Sequence, residues 1–397
     1  MTGTGLPLAG VRVVEMTHMV MGPTCGMILA QLGAEVIKVE PPVGDKTRSL
    51  GGMGTAFFPL FNRGKRSVVL DFARAEDRET MDRLLASADV FLENFRDGQL
   101  EKQGLGPEEV RRKFPHLIVA GHKGFLSGPY EHRPALDEVV QMMSGLAAMT
   151  GTREKPQRVG SSANDIMGGM FGVIAILAAL YQKRGPEAPA GGADIRIGLF
   201  ENCLFLVAQH MVEYEMTGNK PRSMPEREHA WPIYDIFDTA GGERIFIGVV
   251  TEGHWQSFCR EFGLQEFSDD PTLRNTTDRI LARARIIPRV ADEIKRWDVA
   301  ELSAKLDRLN ICFSPINRPE DLLSDPHVLR PGGLVNNVTA DGKPFRVPAL
   351  PVEWNGSNLG EGLKVPVLGA DTEAVRAELE KEKPAFSPIN KVAGRLA

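Results

Sequence analysis

Val11-Arg12-Val13-Val14-Glu15-Met16, Gly22-Pro23-Thr24, Gly33-Ala34 and Glu35-Val36-Ile37-Lys38-Val39-Glu40 follow one another at the start of the chain, and their order decides the fold. The first and last runs are rich in β-branched residues and read as short buried strands. The stretch between them, from Gly22 through Cys25 to Leu32, has the length of a helix. Gly33 marks its end, and Pro41-Pro42 stops the second strand. The alternation continues downstream. Ser67-Val68-Val69-Leu70-Asp71, Asp89-Val90-Phe91-Leu92-Glu93, Leu117-Ile118-Val119-Ala120-Gly121 and Ala193-Asp194-Ile195-Arg196-Ile197-Gly198 are further strands, with helical patterns at Ala75 to Ser87 and Pro107 to Lys113. Strands separated by helices of this length predict an α/β fold, a Rossmann-like doubly wound parallel sheet.

Such a sheet binds ligands beyond the carboxyl ends of its strands. Those ends carry His18-Met19-Val20-Met21, Glu40-Pro41-Pro42, Glu93-Asn94-Phe95-Arg96 and Gly121-His122-Lys123. No Gly-x-Gly-x-x-Gly follows the first strand, which argues against a nicotinamide dinucleotide.

The chain's 397 residues suit two domains. The expected division is a large Rossmann-like domain over 1–215, completed by 330–397, and a smaller α+β domain over 228–328. Linkers are expected at about 216–227 and 320–345, and a loop at Arg184 to Gly192. A long helix is expected from Leu199 to Met216, and a charged terminal one from Asp371 to Glu380. The net charge of −5 argues against nucleic acid as a partner. The longest apolar stretch, Met170 to Leu180, is shorter than the ~20 residues of a membrane span. No basic segment followed by an apolar run opens the chain, so no signal peptide is expected. Cys25, Cys203, Cys259 and Cys312 are scattered, and the histidines form no i, i+4 pair. The expectation is a reduced, cytoplasmic protein without a metal site.

One titratable residue stands out. In Gly160-Ser161-Ser162-Ala163-Asn164-Asp165-Ile166-Met167-Gly168-Gly169-Met170-Phe171-Gly172, a polar loop ends and an apolar helix begins. Asp165 at that junction meets the positive end of the helix, so its ionised form is expected to be favoured. Gly168 and Gly169 leave room for a ligand to approach the backbone. An accessible carboxylate beside free N–H groups can attack an acyl group. The plainer reading is that Asn164 or Asp165 is simply the helix cap.

The ordered set of segments resembles the family III CoA-transferases, the CaiB/BaiF group that includes formyl-CoA and carnitine CoA-transferases. The carriers are Pro7-Leu8-Ala9-Gly10-Val11-Arg12-Val13-Val14-Glu15, Gly22-Pro23, Leu32 to Glu40, Gly44-Asp45-Lys46-Thr47-Arg48, Asn62-Arg63-Gly64-Lys65-Arg66-Ser67 and Glu93-Asn94-Phe95. The resemblance covers nearly the whole chain. It implies that Asp165, in the place of the family's catalytic aspartate, forms an anhydride with an acyl group and then a thioester with CoA. Backbone N–H groups near Gly168 and Gly169 are the candidate oxyanion donors. It further implies that His18, Met19, Val20 and Met21 lie along CoA, and that Asn94, Phe95 and Arg96 approach its nucleotide. Lys102 would meet phosphate, and Arg133 and Asp137 would lie on the CoA side. The coenzyme A thioester is then a substrate, no cofactor is permanently bound, and the partners are acyl-CoA and small carboxylic acids. The family's oligomer is an interlocked homodimer.

Two departures from formyl-CoA transferase are visible. Pro41 replaces an arginine after the second strand, and Glu226-Arg227-Glu228-His229-Ala230-Trp231-Pro232 stands where a glycine-run loop is expected. With Arg48, Arg227 and His229 of this polar loop are candidates for recognising a second carboxylate on the acyl group, and the loop reads equally as a surface linker. The related α-methylacyl-CoA racemases carry a histidine just before the Asp137 position, where this chain has Leu136. A racemase needs a base on each face of its carbon acid, and Leu136 supplies none. The segments Gly124 to Arg133 and Leu136 to Gln141 resemble family members acting on C4–C5 dicarboxylates. Mesaconyl-CoA C1–C4 transfer, or transfer from succinyl-CoA to itaconate, mesaconate or citramalate, is the expected chemistry. A racemase-like enzyme, or formyl- or carnitine-type exchange, is the alternative.

Overall fold

A computed structural model describes residues 5–185 and 191–381. These form two compact units, one made of 1–225 with 329–397 and the other of 226–328. The middle of the loop expected at Arg184 to Gly192 lies outside the described residues, as does the chain beyond 381.

The first unit is built on a six-stranded sheet of β1 (Arg12–Met16), β2 (Glu35–Glu40), β3 (Arg66–Val69), β4 (Val90–Glu93), β5 (Ile118–Lys123) and β6 (Asp194–Gly198). Every pairing is parallel, in the order β3-β2-β1-β4-β5-β6. The direction of winding therefore reverses between β1 and β4. The helices are α1 (Met21–Gln31), α2 (Phe57–Asn62), α3 (Ala75–Ser87), α4 (Pro107–Lys113), α5 (Asp137–Met143), α6 (Leu146–Thr150), α7 (Ala163–Gln182) and α8 (Leu199–Thr217).

Alternation along the strands divides the buried residues between two layers. Val13, Val36, Val90, Leu92, Ile118 and Ala120 face α1 and α7, meeting Cys25, Leu29, Val173 and Ile176. Val14, Ile37, Val39, Phe91 and Val119 face the other way, onto Met81, Leu84 and Leu85 of α3 and Val110 of α4. α7 is 20 residues long, with a mean hydropathy of 1.7 over its most apolar 18-residue window. It therefore meets the length that its central run, Met170 to Leu180, does not reach. Here it is a core helix with one side packed on α1 and β5, and it begins with the polar Asn164 and Asp165.

The second unit holds β7 (Ile233–Asp238), β8 (Arg244–Val249), α9 (Glu252–Glu261), α10 (Gln265–Ser268), α11 (Thr276–Leu281), α12 (Arg283–Ile294), α13 (Val299–Arg308) and β9 (Cys312–Pro315). Its antiparallel sheet, β7-β8-β9, closes on a core of Trp255, Phe258, Ile286, Val290 and Leu302. The returning chain adds two small antiparallel hairpins, β10 (Leu334–Val338) with β11 (Pro344–Pro348) and β12 (Glu353–Trp354) with β13 (Ser357–Asn358). It ends in α14 (Thr372–Lys381), whose Val375 and Leu379 complete the layer over β3.

Candidate active site

α7 starts at the carboxyl rim of the sheet. Its far end is tied to the opposite rim, where the Lys183 Nζ donates to the His116 carbonyl ahead of β5 at 2.6 Å. Asp165 therefore shares a rim with the loops that follow β1 and β4. It is the third residue of the helix, behind the N-cap Ser162, which makes no side-chain capping bond. The capping reading fails for both candidates. The Asn164 side chain donates to the Leu199 carbonyl (3.0 Å) and accepts from Asn202 (2.6 Å), both at the start of α8. The Asp165 main-chain N–H donates outward, to Asp137 Oδ2 at 3.0 Å. The Asp165 carboxylate itself is half-buried, with no hydrogen bond to it among the described contacts.

The electrostatics reverse the expectation from the helix terminus. Burial, and after it the negative charge of Asp137, push the Asp165 carboxyl up from 3.8 to about 7, against the opposing pull of Arg158. A carboxylate made more basic in this way is a stronger nucleophile once ionised.

Gly168 and Gly169 have a different role from the one expected. A Cβ at Gly169 would lie 2.7 Å from the Met21 carbonyl oxygen and from Thr24 Cβ, and one at Gly168 would overlap the Met21 side chain. The space beside them is filled by α1. Only the first four N–H groups of a helix are free of its own ladder, and residues 168 and 169 lie beyond the first turn. They are packing glycines and cannot serve as oxyanion donors. Gly172 repeats the pattern against the buried His122 and Cys25.

The loop after β1 faces the loop after β4 across the point of reversal. Asn94 locks the two together: it accepts from the His18 N–H at 2.9 Å and donates to the His18 carbonyl at 2.7 Å. The His18 and Phe95 rings lie 5.3 Å apart. Burial lowers the His18 imidazole pKa, so the ring is neutral at pH 7. Met19 takes a left-handed φ of 64° and turns its side chain outward. Val20 and Met21, expected along CoA, are buried in the core instead and can offer only backbone there. Arg96, Lys102 and Arg133 are exposed, with the Arg133 guanidinium over the Tyr130 ring. Asp137 is not on that surface: it is buried, with its carboxylate turned toward α7.

Arg48 is held by structural partners. Its guanidinium is spent on Glu40 (2.6 and 2.7 Å), on the Pro366 carbonyl (2.9 Å) and on the face of Phe58. Burial alone would raise the Glu40 carboxyl, but Arg48 and Ser67 hold it below its ordinary range. Arg48 is thus engaged by structural partners. Arg227 and His229 belong to the second unit. Burial, with the nearby Arg283, lowers the His229 pKa.

Sequence reasoning missed a buried ionic cluster beneath the His18 loop. Lys65 donates to Glu15 (2.8 Å) and to the Pro23 carbonyl (3.0 Å), while Lys38 reaches Asp45 (3.0 Å) and the Thr17 carbonyl (2.6 Å). Burial pushes the Lys65 amine down to about 8. Two of its bonds go to the main chain at Thr17 and Pro23, so the cluster fixes both ends of the loop. Its signal was the charge inside the apolar runs of β1 and β2. Among the described residues, no three His, Cys, Asp or Glu side chains converge as metal ligands.

A doubly wound sheet with an uncommitted carboxylate at the rim, beside the crevice where the winding reverses, defines an α/β enzyme of group transfer. The chain belongs to CoA-transferase family III, whose profile matches residues 8–372, and it is a CoA-transferase acting on CoA thioesters. It is 31% identical to a succinate–glutarate CoA-transferase of Agrobacterium fabrum, over 96% of this chain and 98% of that one. It is 30% identical to a succinyl-CoA–D-citramalate CoA-transferase of Chloroflexus aurantiacus, over 89% and 92%. A crystal structure of a CaiB/BaiF family protein from Brucella suis superposes with a TM-score of 0.84 at 32% identity, over 95% of this chain and all of that one.

Proposed function

We propose that this enzyme moves CoA between small C4–C5 dicarboxylic acids through covalent intermediates on Asp165. The observation that carries the reading is the Asp165 carboxylate: half-buried, raised in pKa to about 7, without a hydrogen-bond partner, and at the ligand-binding rim. An Asp165 oxygen attacks the thioester carbonyl of the donor, the C–S bond breaks, and CoA leaves as the thiolate. The thiolate then attacks the Asp165 carbonyl of the mixed anhydride and expels the donor acid. The aspartyl-CoA thioester that results is attacked by the acceptor carboxylate, giving a second anhydride. Thiolate attack on the acceptor's carbonyl releases the new acyl-CoA and regenerates Asp165.

CoA would lie in the crevice formed by His18, Met19, Asn94 and Phe95, with the exposed Arg96, Lys102 and Arg133 available to its phosphates. The oxyanion donors are better sought among the free first-turn N–H groups of α7 than at Gly168 and Gly169. The dicarboxylate substrate is supported by relatives named for succinate, glutarate and D-citramalate. The homodimer is supported by the apolar surface left on α7 and α8, including Met170, Ile174, Phe205 and Met211.

The test is intact-protein mass spectrometry after mixing with succinyl-CoA or mesaconyl-CoA and trapping with hydroxylamine or borohydride. An adduct on Asp165 in wild type and none in Asp165→Ala is expected. Tight CoA binding without any adduct, across a panel of acyl-CoAs, would refute covalent transfer.

A further inference from the structure

The nucleophile loop is held by a clamp that the overall reaction does not explain. Gln141 of α5 is fully buried. Its Oε1 accepts from the Val159 N–H at 2.9 Å, and its Nε2 donates to Asp137 Oδ1. The other Asp137 oxygen accepts from the Asp165 N–H at 3.0 Å. Two side chains one helical turn apart thus hold both ends of the segment 159–165. Just ahead of that segment, Arg158 Nη1 reaches Glu138 at 3.1 Å and Nη2 lies 3.8 Å from Asp137, while its remaining bonds go to the Val159 and Ser161 carbonyls.

We propose that Asp137, fixed by Gln141, is a positioning residue that anchors the Asp165 main chain and drives Asp165 toward its uncharged, acylated states, with Arg158 as the opposing cation. This rests on the reading of Asp165 as the nucleophile. Asp165 is negative only when its carboxylate is free; as anhydride or thioester it is neutral. A buried negative neighbour that cannot move away therefore raises the energy of the free enzyme and spares the covalent intermediates. It also makes the Asp165 carboxylate more basic, and more reactive once ionised. The other elements packed there add little charge. α1 contributes Met21 and Thr24 beside the helix, and α8 contributes the amide of Asn202. His122 of β5 is kept neutral by burial, which pushes it down to about 4. α5 adds only Glu138, which is paired with Arg158.

The experiment is the pH dependence of single-turnover adduct formation with succinyl-CoA, read by quenched intact mass for wild type, Asp137→Asn and Arg158→Gln. The wild-type rate should rise with pH through about 7. Asp137→Asn should move that midpoint to lower pH and leave less of the enzyme as covalent adduct at equilibrium; Arg158→Gln should move it to higher pH. A clamp with a purely structural role would lower the rate at every pH and leave both midpoints in place. Coincident midpoints, or shifts in the same direction, overturn the proposal. Should Asp137→Asn fail to fold, the direction of the Arg158→Gln shift decides. A wild type that forms no adduct counts against the transfer reading itself. The charge balance is then read without turnover, from the pH at which carbodiimide amidates Asp165 in each variant, with the same opposed shifts expected and coincident values overturning the proposal.

Discussion

At the scale of single residues, the site is governed by which carboxylates have partners. Asp137 and Glu40 are both buried and fully engaged, while Asp165 is not. The raised pKa of Asp165 has a consequence for stability. Between about 4 and about 7 the folded state holds the Asp165 proton that the unfolded chain has released, so this residue's contribution to stability falls as pH rises through that window. Asp165→Asn should therefore be more stable than wild type at pH 7.5, by on the order of 2 kcal/mol after solvent screening, and should lose that advantage below pH ~4. Thermal melts across that range check it. Arg48→Ala removes the partner of a buried carboxylate and should cost about 3 kcal/mol, with little change in KM for acid acceptors. The place of Asp165 at the head of α7 was legible in the sequence because a lone acid between a small-residue loop and an apolar helix is a local pattern. Its charge balance was not, since Asp137 lies 28 residues away and Arg158 on the loop between them. Arg48 was misread for a related reason: nothing near it in sequence reveals that Glu40 and the Pro366 carbonyl already hold it.

At the scale of elements, the decisive contact is between α1 and α7. Gly168, Gly169 and Gly172 let α7 approach α1 and β5 closely enough to set Asp165 at the rim beside the His18 loop. Gly169→Val would drive a branched side chain against the Met21 carbonyl and Thr24, and should destabilise the protein by about 1–3 kcal/mol. Because α7 must shift to relieve the clash, covalent labelling of Asp165 should fall even where the fold survives. Chemical denaturation together with the labelling yield tests this, and unchanged labelling would mean that α7 is not positioned through α1. The strands and connecting helices of the sheet could be read from the chain because parallel strands buried on both faces leave unbroken apolar runs. The roles of the α7 glycines could not, because a glycine that admits a ligand and one that admits a neighbouring helix look the same in sequence.

At the scale of the whole molecule, the two units were foreshadowed by the turn-rich stretch after α8, where Asn219, Pro221 and Pro225 follow a helix ended by Gly218 in the left-handed conformation. What the chain left unread was how much apolar surface α7 and α8 would keep exposed. The Phe171 and Phe205 rings pack at 5.5 Å on that surface, and Phe205 remains 67% exposed. Light scattering should report the mass of two chains, and Phe205→Glu should weaken the association; a monomeric wild type would contradict the proposed dimer. Oxygen exchange follows the full catalytic cycle. If each cycle passes through two anhydrides on Asp165, the departing acid takes one Asp165 oxygen and the acceptor replaces it. Incubation with succinyl-CoA and succinate carrying heavy oxygen in its carboxylates should load the isotope into the peptide containing Asp165, first one atom and then two, with no labelling in the absence of succinyl-CoA. Sustained CoA exchange with the isotope confined to the acids would contradict transfer through anhydrides on Asp165.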